Sequence, residues 1–352
     1  MRSGQVWLWN NVPFLRAVWY NPKQDNRKKE SEMTKEELFT TFHNIGLVPV
    51  VKIDDAEKAV PLAKALIDGG IPCAEITFRT DAAEEAIKRV TKAYPEMLVG
   101  AGTVINPKLA EKAVAAGAKF IVSAGFNRET VEWCLSHNIP VVPGVCTPSE
   151  IEMGLSMGLT TLKFFPAEAS GGVAMLKDFS GPFSQVKFMT TGGININNLQ
   201  DYAKASNVLA IGGSWMVKAD LINDEKWDEI TRLCKEARIK LQGFTLAHVG
   251  INLPDADAAA GAADEFAKLG MEIKNGNSSI FMNKEIEVMK KNYLGKNGHL
   301  AFRCNDIERA IYFLKDKGFT VNEETVKKDA KGKITVCYLN EEIGGFAIHL
   351  VK

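Results

Sequence analysis

LVPVVKIDDAEKAVPLAKALIDGGIPCAEITF, residues 47–78, begins with a run, LVPVVKI, that is apolar whichever way successive side chains point. A turn follows, and from Asp55 to Asp68 the apolar residues return at helical spacing. After a second turn comes another apolar run, CAEITF at 73–78. Strand, turn, amphipathic helix and next strand make one βα unit. The same unit recurs with strands at LVGAG (98–102), KFIVSA (119–124), IPVVPG (139–144), TLKFF (161–165), VKFMTTGG (186–193) and VLAIGG (208–213), eight runs in all. Their starts lie 20 to 26 residues apart, and runs apolar on both faces are those of parallel strands covered by helices. Eight such units in succession predict an α/β protein built on a (β/α)8 TIM barrel, not an open doubly wound sheet.

The 352 residues are 46% hydrophobic and 24% charged, with 43 basic against 43 acidic side chains. That much apolar matter excludes a disordered chain, and the balanced charge argues against a nucleic-acid partner. No apolar stretch approaches the roughly 20 residues that span a bilayer, so no membrane role is expected. Six cysteines stand singly in apolar segments with no CxxC spacing, as expected of buried small hydrophobes in a reducing, cytoplasmic compartment. Residues 1–32 mix Trp7, Trp9 and Trp19 with a basic run at Arg27–Lys29, a poor signal peptide, and are expected to form a disordered extension. From Met33 the pattern becomes regular, and Thr34 with Glu37 fits a capping box. The barrel is thus expected over 33–240 and a second domain over 241–352.

Active sites of this barrel lie where strands end and βα loops begin. Those positions hold Glu75 and Arg79 at the second strand, Thr103 at the third, Ser123 at the fourth and Cys146 and Thr147 at the fifth. Lys163 falls at the sixth, Thr191, Gly192 and Gly193 at the seventh, and Gly212, Gly213 and Ser214 at the eighth. Polar strand ends are common in any barrel, but Glu75 and Lys163 lie within apolar runs. Alternation aims Lys163 into the barrel while Leu162 and Phe164 face the helices. Burial disfavours the charged form of an amine, the condition a Schiff-base nucleophile needs near neutral pH. A carboxylate such as Glu75 beside it suits the proton transfers of carbinolamine formation and dehydration. Arg79 offers a planar fork for a substrate carboxylate, although taken alone Glu75 and Arg79 could form a simple ion pair. Glycine pairs in TTGGIN (190–195) and IGGSW (211–215) stand at the seventh and eighth strands, the recurrent phosphate position of the fold.

The strings EITFRT, VGAGTV, LKFFPAE, GPFSQVKFMTTGGI and IGGSW keep their order across residues 46–237, a segment that closely resembles the class I 2-keto-3-deoxy-6-phosphogluconate aldolases, often bifunctional toward 4-hydroxy-2-oxoglutarate. The resemblance implies that Lys163 forms the Schiff base and Glu75 is the general acid and base. It implies that Arg79 and Thr103 hold the pyruvyl end with help from Thr191, that Phe165 packs near the imine, and that Gly192, Gly193, Gly213 and Ser214 cradle the phosphate. It also implies a phosphorylated keto acid as substrate, no cofactor for the aldol step, and a homotrimer. One departure is the loop after the fourth strand, where Ser123, Ala124, Gly125 and Phe126 replace an SPG sequence and leave the aldehyde end of the substrate open. An alternative on the same residues is an epimerase or another phosphate-handling barrel lyase.

Beyond Leu241 the rhythm changes. A strand HVGINL (248–253), a helix closing at Gly270 and short β patterns ending in IEVMK (286–290) are followed by HLAFRC (299–304), a helix closing at Gly318 and β patterns ending in IHLVK (348–352). This is a small α+β domain of two βαβββ modules. His248 and His299 are expected to open the paired first strands, while Glu287 and His349 occupy the paired last ones. Histidines and a carboxylate on neighbouring strands have the chemistry of a divalent metal site with open positions. The domain resembles the vicinal oxygen chelate superfamily, which includes glyoxalase-like enzymes and dioxygenases and in which the fourth position is commonly Glu where this chain has His349. A non-catalytic sensor or an oligomer clamp is the alternative role.

Overall fold

A computed structural model describes residues 34–352, so the extension expected at 1–32 lies outside the described residues. Helix α1 (Lys35–Ile45) leads into β1 (Leu47–Val51), and the barrel continues through β2 (Cys73–Thr77), β3 (Leu98–Gly102), β4 (Ile121–Val122), β5 (Val141–Val142), β6 (Gly144–Val145), β7 (Thr161–Phe164), β8 (Lys187–Thr190) and β9 (Val208–Gly213). All are parallel, in the order β5-β4-β3-β2-β1-β9-β8-β7-β6. All eight expected runs form strands. The ninth arises because Pro143, which has no N–H to donate, interrupts the run IPVVPG. Its first half pairs with β4 and its second half with β7, and the Pro143 carbonyl accepts the Lys163 N–H at 2.8 Å, so the ring closes through this one interrupted strand.

Helices α2 (Ala59–Asp68), α3 (Ala83–Ala93), α4 (Pro107–Ala115), α5 (Arg128–Ser136), α6 (Pro148–Ser156), α7 (Gly172–Phe179), α8 (Leu199–Lys204), α9 (Ala219–Asn223) and α10 (Trp227–Gln242) follow the strands. Two start on the same local chemistry: Asn106 and Thr147 accept hydrogen bonds from the third residue of α4 and α6, each with proline next in the chain. Between strands and helices lies an aromatic layer in which Phe164 meets Phe179 and Phe188 edge-on. All six cysteines are free; burial pushes the thiols of Cys134, Cys234 and Cys304 up to about 12, so they stay protonated. No helix among the described residues is long and apolar enough to cross a membrane.

Gly243, in the left-handed region at φ 65°, ends α10 and turns the chain into a second sheet. Its first module comprises β10 (Thr245–Asn252), α11 (Ala256–Ala267), β11 (Ile273–Asn275), β12 (Ser279–Met282) and β13 (Ile286–Met289). The second comprises β14 (Gly298–Arg303), α12 (Ile307–Lys315), β15 (Val321–Lys328), β16 (Ile334–Ile343) and β17 (Phe346–Val351). The order β11-β12-β13-β10-β14-β17-β16-β15 places the two modules back to back across an antiparallel β10–β14 pair. Within each module the first and last strands run parallel. One expectation is corrected: His248 does not open its strand. Thr245 and Leu246 extend the ladder against Arg303 and Phe302, and because both are exposed they escape an apolar pattern.

Strand alternation gives this sheet two faces. Ile280, Met282 and Val288 pack on α11, and Cys337, Leu339, Ile348 and Leu350 pack on α12. The intervening Glu287, Tyr338 and His349 face the other way. Helix α12 lies between its half-sheet and the barrel's α1 and α10. Arg309, 2% exposed, donates to the carbonyls of His43 at 2.9 Å and Leu209 at 3.3 Å. Arg238 pairs with Asp316 at 2.6 Å, and His43 with Asp306 at 3.2 Å. These contacts fall at the N-terminal ends of the barrel strands, so the second domain covers the floor of the barrel, opposite the C-terminal rim.

Candidate active site and a histidine cluster

Lys163 and Glu75 stand on β7 and β2, which are not neighbours in the ring, so their side chains meet through the barrel interior. The lysine Nζ lies 3.3 Å from Glu75 Oε1, with the residues 4% and 0% exposed. The ion pair left open for Glu75 and Arg79 does not form among the described contacts. Arg79 is exposed and its Nε donates to Thr77 Oγ1 at 3.1 Å, while the Thr77 hydroxyl donates to the Val51 carbonyl at 2.8 Å. Thr77, which pattern reading passed over, therefore fixes the guanidinium. Gly102 was also missed. It faces Glu75, and a Cβ there would collide with the carboxylate.

The Phe165 ring centroid lies 5.1 Å from Lys163 Nζ. Thr103 is half-buried with φ 58°, an uncommon backbone for a threonine, just past β3. Glu75 Oε2 and Thr191 Oγ1 are buried without a hydrogen-bond partner among the described residues. Gly192 and Gly193, at φ 108° and 78°, form a turn only glycine adopts freely. The loop after β7 is stitched to it: Ala167 N–H donates to the Thr191 carbonyl at 2.8 Å and Glu168 N–H to that of Gly192 at 3.0 Å. The buried Tyr202 of α8 donates its hydroxyl to the Glu168 carboxylate. Gly213 is buried and Ser214 exposed at the end of β9. Ser123 turns its hydroxyl to the Gly125 carbonyl at 2.7 Å and so braces the loop that departs from SPG. Cys146 and Thr147 have a structural account, since both N–H groups donate to Glu150 in the cap of α6.

A family model described as KDPG and KHG aldolase matches residues 40–233, more than half of the chain. The chain belongs to this aldolase family. It is thereby a carbon–carbon lyase. A 2-dehydro-3-deoxy-phosphogluconate aldolase of Treponema pallidum is 45% identical over 199 residues, which cover 56% of this chain and 95% of the relative. A KHG/KDPG aldolase of Escherichia coli is 46% identical over 209 residues, covering 59% and 97%. Among solved structures, the KDPG aldolase of Legionella pneumophila, with pyruvate captured as a covalent carbinolamine intermediate, aligns with a TM-score of 0.56 and 44% identity over 56% of this chain and 97% of that one. The family model stops before the second domain begins.

That domain adds a cluster the aldolase barrel lacks. His248 of β10, Glu287 of β13, His299 of β14 and His349 of β17 converge on one face of the sheet. The Nε2 atoms of His248 and His299 lie 3.0 Å apart, and Glu287 Oε2 lies 3.3 Å from the first and 3.1 Å from the second. Ligand atoms of the three histidines all fall within 4.8 Å of one another. Burial opposes ionisation of Glu287, but hydrogen bonds from His248, His299 and Ser279 prevail and hold its carboxyl well below the usual range. Burial, then the charges of His299 and His248, push His349 down to about 3; both its ring nitrogens are buried without a hydrogen-bond partner among the described residues. Three residues escaped pattern reading here. Ser279 donates to Glu287 at 2.5 Å, and Tyr338 stacks on His349 with centroids 4.3 Å apart. Gly250, opposite His299 in the ladder, leaves room for that ring, which a Cβ would strike.

Proposed function

We propose that the barrel is a Schiff-base aldolase cleaving 2-keto-3-deoxy-6-phosphogluconate to pyruvate and glyceraldehyde 3-phosphate, and 4-hydroxy-2-oxoglutarate to pyruvate and glyoxylate. The observation that carries this is the buried contact between Lys163 and Glu75. The unprotonated Lys163 amine adds to the C2 ketone, and Glu75 moves the protons that turn the carbinolamine into an iminium with loss of water. The iminium accepts the electron pair of the C3–C4 bond as the C4 hydroxyl loses its proton, and the aldehyde departs. Protonation of the enamine at C3 and hydrolysis return the lysine and release pyruvate. Arg79, steadied by Thr77, and Thr103 hold the carboxylate, Thr191 assists there, and Phe165 covers the imine. Gly192, Gly193, Gly213 and Ser214 receive the phosphate; the side-chain-free turn at 192–193 supports that assignment. The carbinolamine captured in the Legionella relative supports the covalent route, and the family resemblance supports a homotrimer. Pyruvate formation from 2-keto-3-deoxy-6-phosphogluconate should disappear in Lys163→Ala, as should borohydride trapping of pyruvate on the chain. Comparable rates in variant and wild type would end this mechanism.

For the second domain we propose a divalent metal module in a vicinal-oxygen-chelate-like fold, with His248, Glu287, His299 and His349 as ligands. The unpartnered nitrogens of His349 and the convergence of three imidazoles on one carboxylate fit borderline divalent ions. Ser279 would orient the carboxylate as an outer partner. When bound, the ion would supply Lewis-acid chemistry at an open position. Calorimetry of the full chain with zinc, nickel or manganese should give one ion per chain, lost in His248→Ala; no stoichiometric binding by any of the three would sink the assignment.

A further inference from the structure

Where the second domain meets the floor of the barrel there is a cavity of about 390 Å³. Its wall carries Lys187 and Lys204 from the barrel and Lys333, Lys352 and Arg309 from the second domain, against two acids, Asp306 and Glu308. We infer that this cavity binds a small polyvalent oxyanion of the phosphate or pyrophosphate class, gripped between Lys187 of one domain and Lys333 of the other.

Of the two acids, Asp306 already accepts from the Arg309 N–H at 2.9 Å and lies 3.2 Å from His43 Nε2, with Glu308 3.7 Å from the same nitrogen. Lys204, Lys333 and Lys352 form no ion pair among the described residues. Lys187 is half-buried at the start of β8, where its ammonium donates to the Ser206 carbonyl at 2.6 Å; two of its three protons remain for a ligand. Burial first, and then the positive charge of Lys333 across the cavity, lower its pKa and outweigh the opposite pull of Asp306. Docking the domains thus brings like charges from two separate elements together, and an oxyanion between them turns that repulsion into two charge-assisted contacts. Five cationic side chains against two acids favour an anion over the metal ion that His43, Asp306 and Glu308 together could hold. Lysines bind phosphate groups as point charges, without needing the bidentate fork of arginine. The cavity lies at the opposite end of the strands from Lys163, so its ligand is not the substrate phosphate at Gly192 and Gly193.

Because the anion touches both domains only when they are docked, its binding raises the thermal midpoint by mass action. The full chain is titrated with inorganic pyrophosphate at constant ionic strength, following the midpoint and the apparent affinity. Wild type should show a saturable rise. Lys333→Ala should weaken the affinity by at least about tenfold, the size of one lost hydrogen bond between charged groups. Lys333→Glu should raise the midpoint without pyrophosphate and abolish the response. No saturable response in wild type, or a full response in Lys333→Ala, would overturn the inference; the second result would place the anion at the rim. Borohydride trapping of pyruvate on Lys163 should be unchanged in both variants. If trapping fails in wild type as well, the aldolase assignment falls and the anion site stands.

Discussion

A Cβ at Gly102 would occupy the space of the Glu75 carboxylate, and one at Gly250 the space of the His299 ring. In each case a residue without a side chain sets where its neighbour's functional group sits. Gly102→Ala should displace Glu75 from Lys163, and misplacement on the scale of 1 Å is worth about 10²-fold in turnover. Overpacking should cost about 1–3 kcal/mol of stability. Steady-state pyruvate release and urea unfolding separate the two effects, and wild-type turnover in the variant would show that the carboxylate position is not set by Gly102. Glu75 and Lys163 were legible because a charge inside an apolar run has few purposes. Gly102, Gly250 and Thr77 were not, because what each accommodates lies on another strand, far away in sequence.

Among the elements, α8 acts on the rim at one remove. Its Tyr202 hydroxyl holds Glu168, and the backbone of Ala167 and Glu168 is stitched to the Thr191–Gly193 turn. Tyr202→Phe removes a hydrogen bond to a charged group, worth about 1.5–3 kcal/mol. We expect the KM for 2-keto-3-deoxy-6-phosphogluconate to rise by about tenfold or more, while that for 4-hydroxy-2-oxoglutarate, which lacks the phosphate, changes far less. Equal changes for both would assign Tyr202 to general stability. Helix α12 begins at Asp306, whose carboxylate caps Arg309 N–H at 2.9 Å and also meets His43 of α1. Burial works against ionisation of Asp306, but His43, by hydrogen bond and charge, and Arg309 hold its carboxyl well below the usual range. Its stabilising effect is therefore present above about pH 4 and lost as pH falls through the folded value. Asp306→Asn keeps a competent cap and loses the charge, so its urea midpoint should approach that of wild type as the solution is acidified below that point. Asp306→Ala should cost about 1 kcal/mol more, from the cap. A gap between wild type and Asp306→Asn that persists in acid would contradict the charge effect. The strand runs themselves were plain in the sequence. The interruption at Pro143 was not, because its neighbours on either side are equally apolar.

For the whole molecule, the change of rhythm after Leu241 pointed to a second sheet, yet not to the surface it covers. Arg309 is anchored by the carbonyls of His43 and Leu209, and a backbone carbonyl leaves no signature in a sequence. Since the docked surface is the barrel floor, ending the chain after Gln242 should leave kcat/KM for aldol cleavage within about twofold. The thermal midpoint should fall, because Arg238 loses its ion pair with Asp316 and the ring of Phe313; each removed contact of this kind is worth about 1–3 kcal/mol. A large drop in kcat/KM without loss of fold would mean that the second domain reaches the rim.

The histidine face of the second sheet is the one turned away from α12, and α12 is the side that touches the barrel. The proposed aldolase site and the proposed metal site therefore open on opposite sides. A scavenger added to the medium should therefore intercept any compound passed between them. What joining these modules in one polypeptide secures is equal dosage, not a protected route.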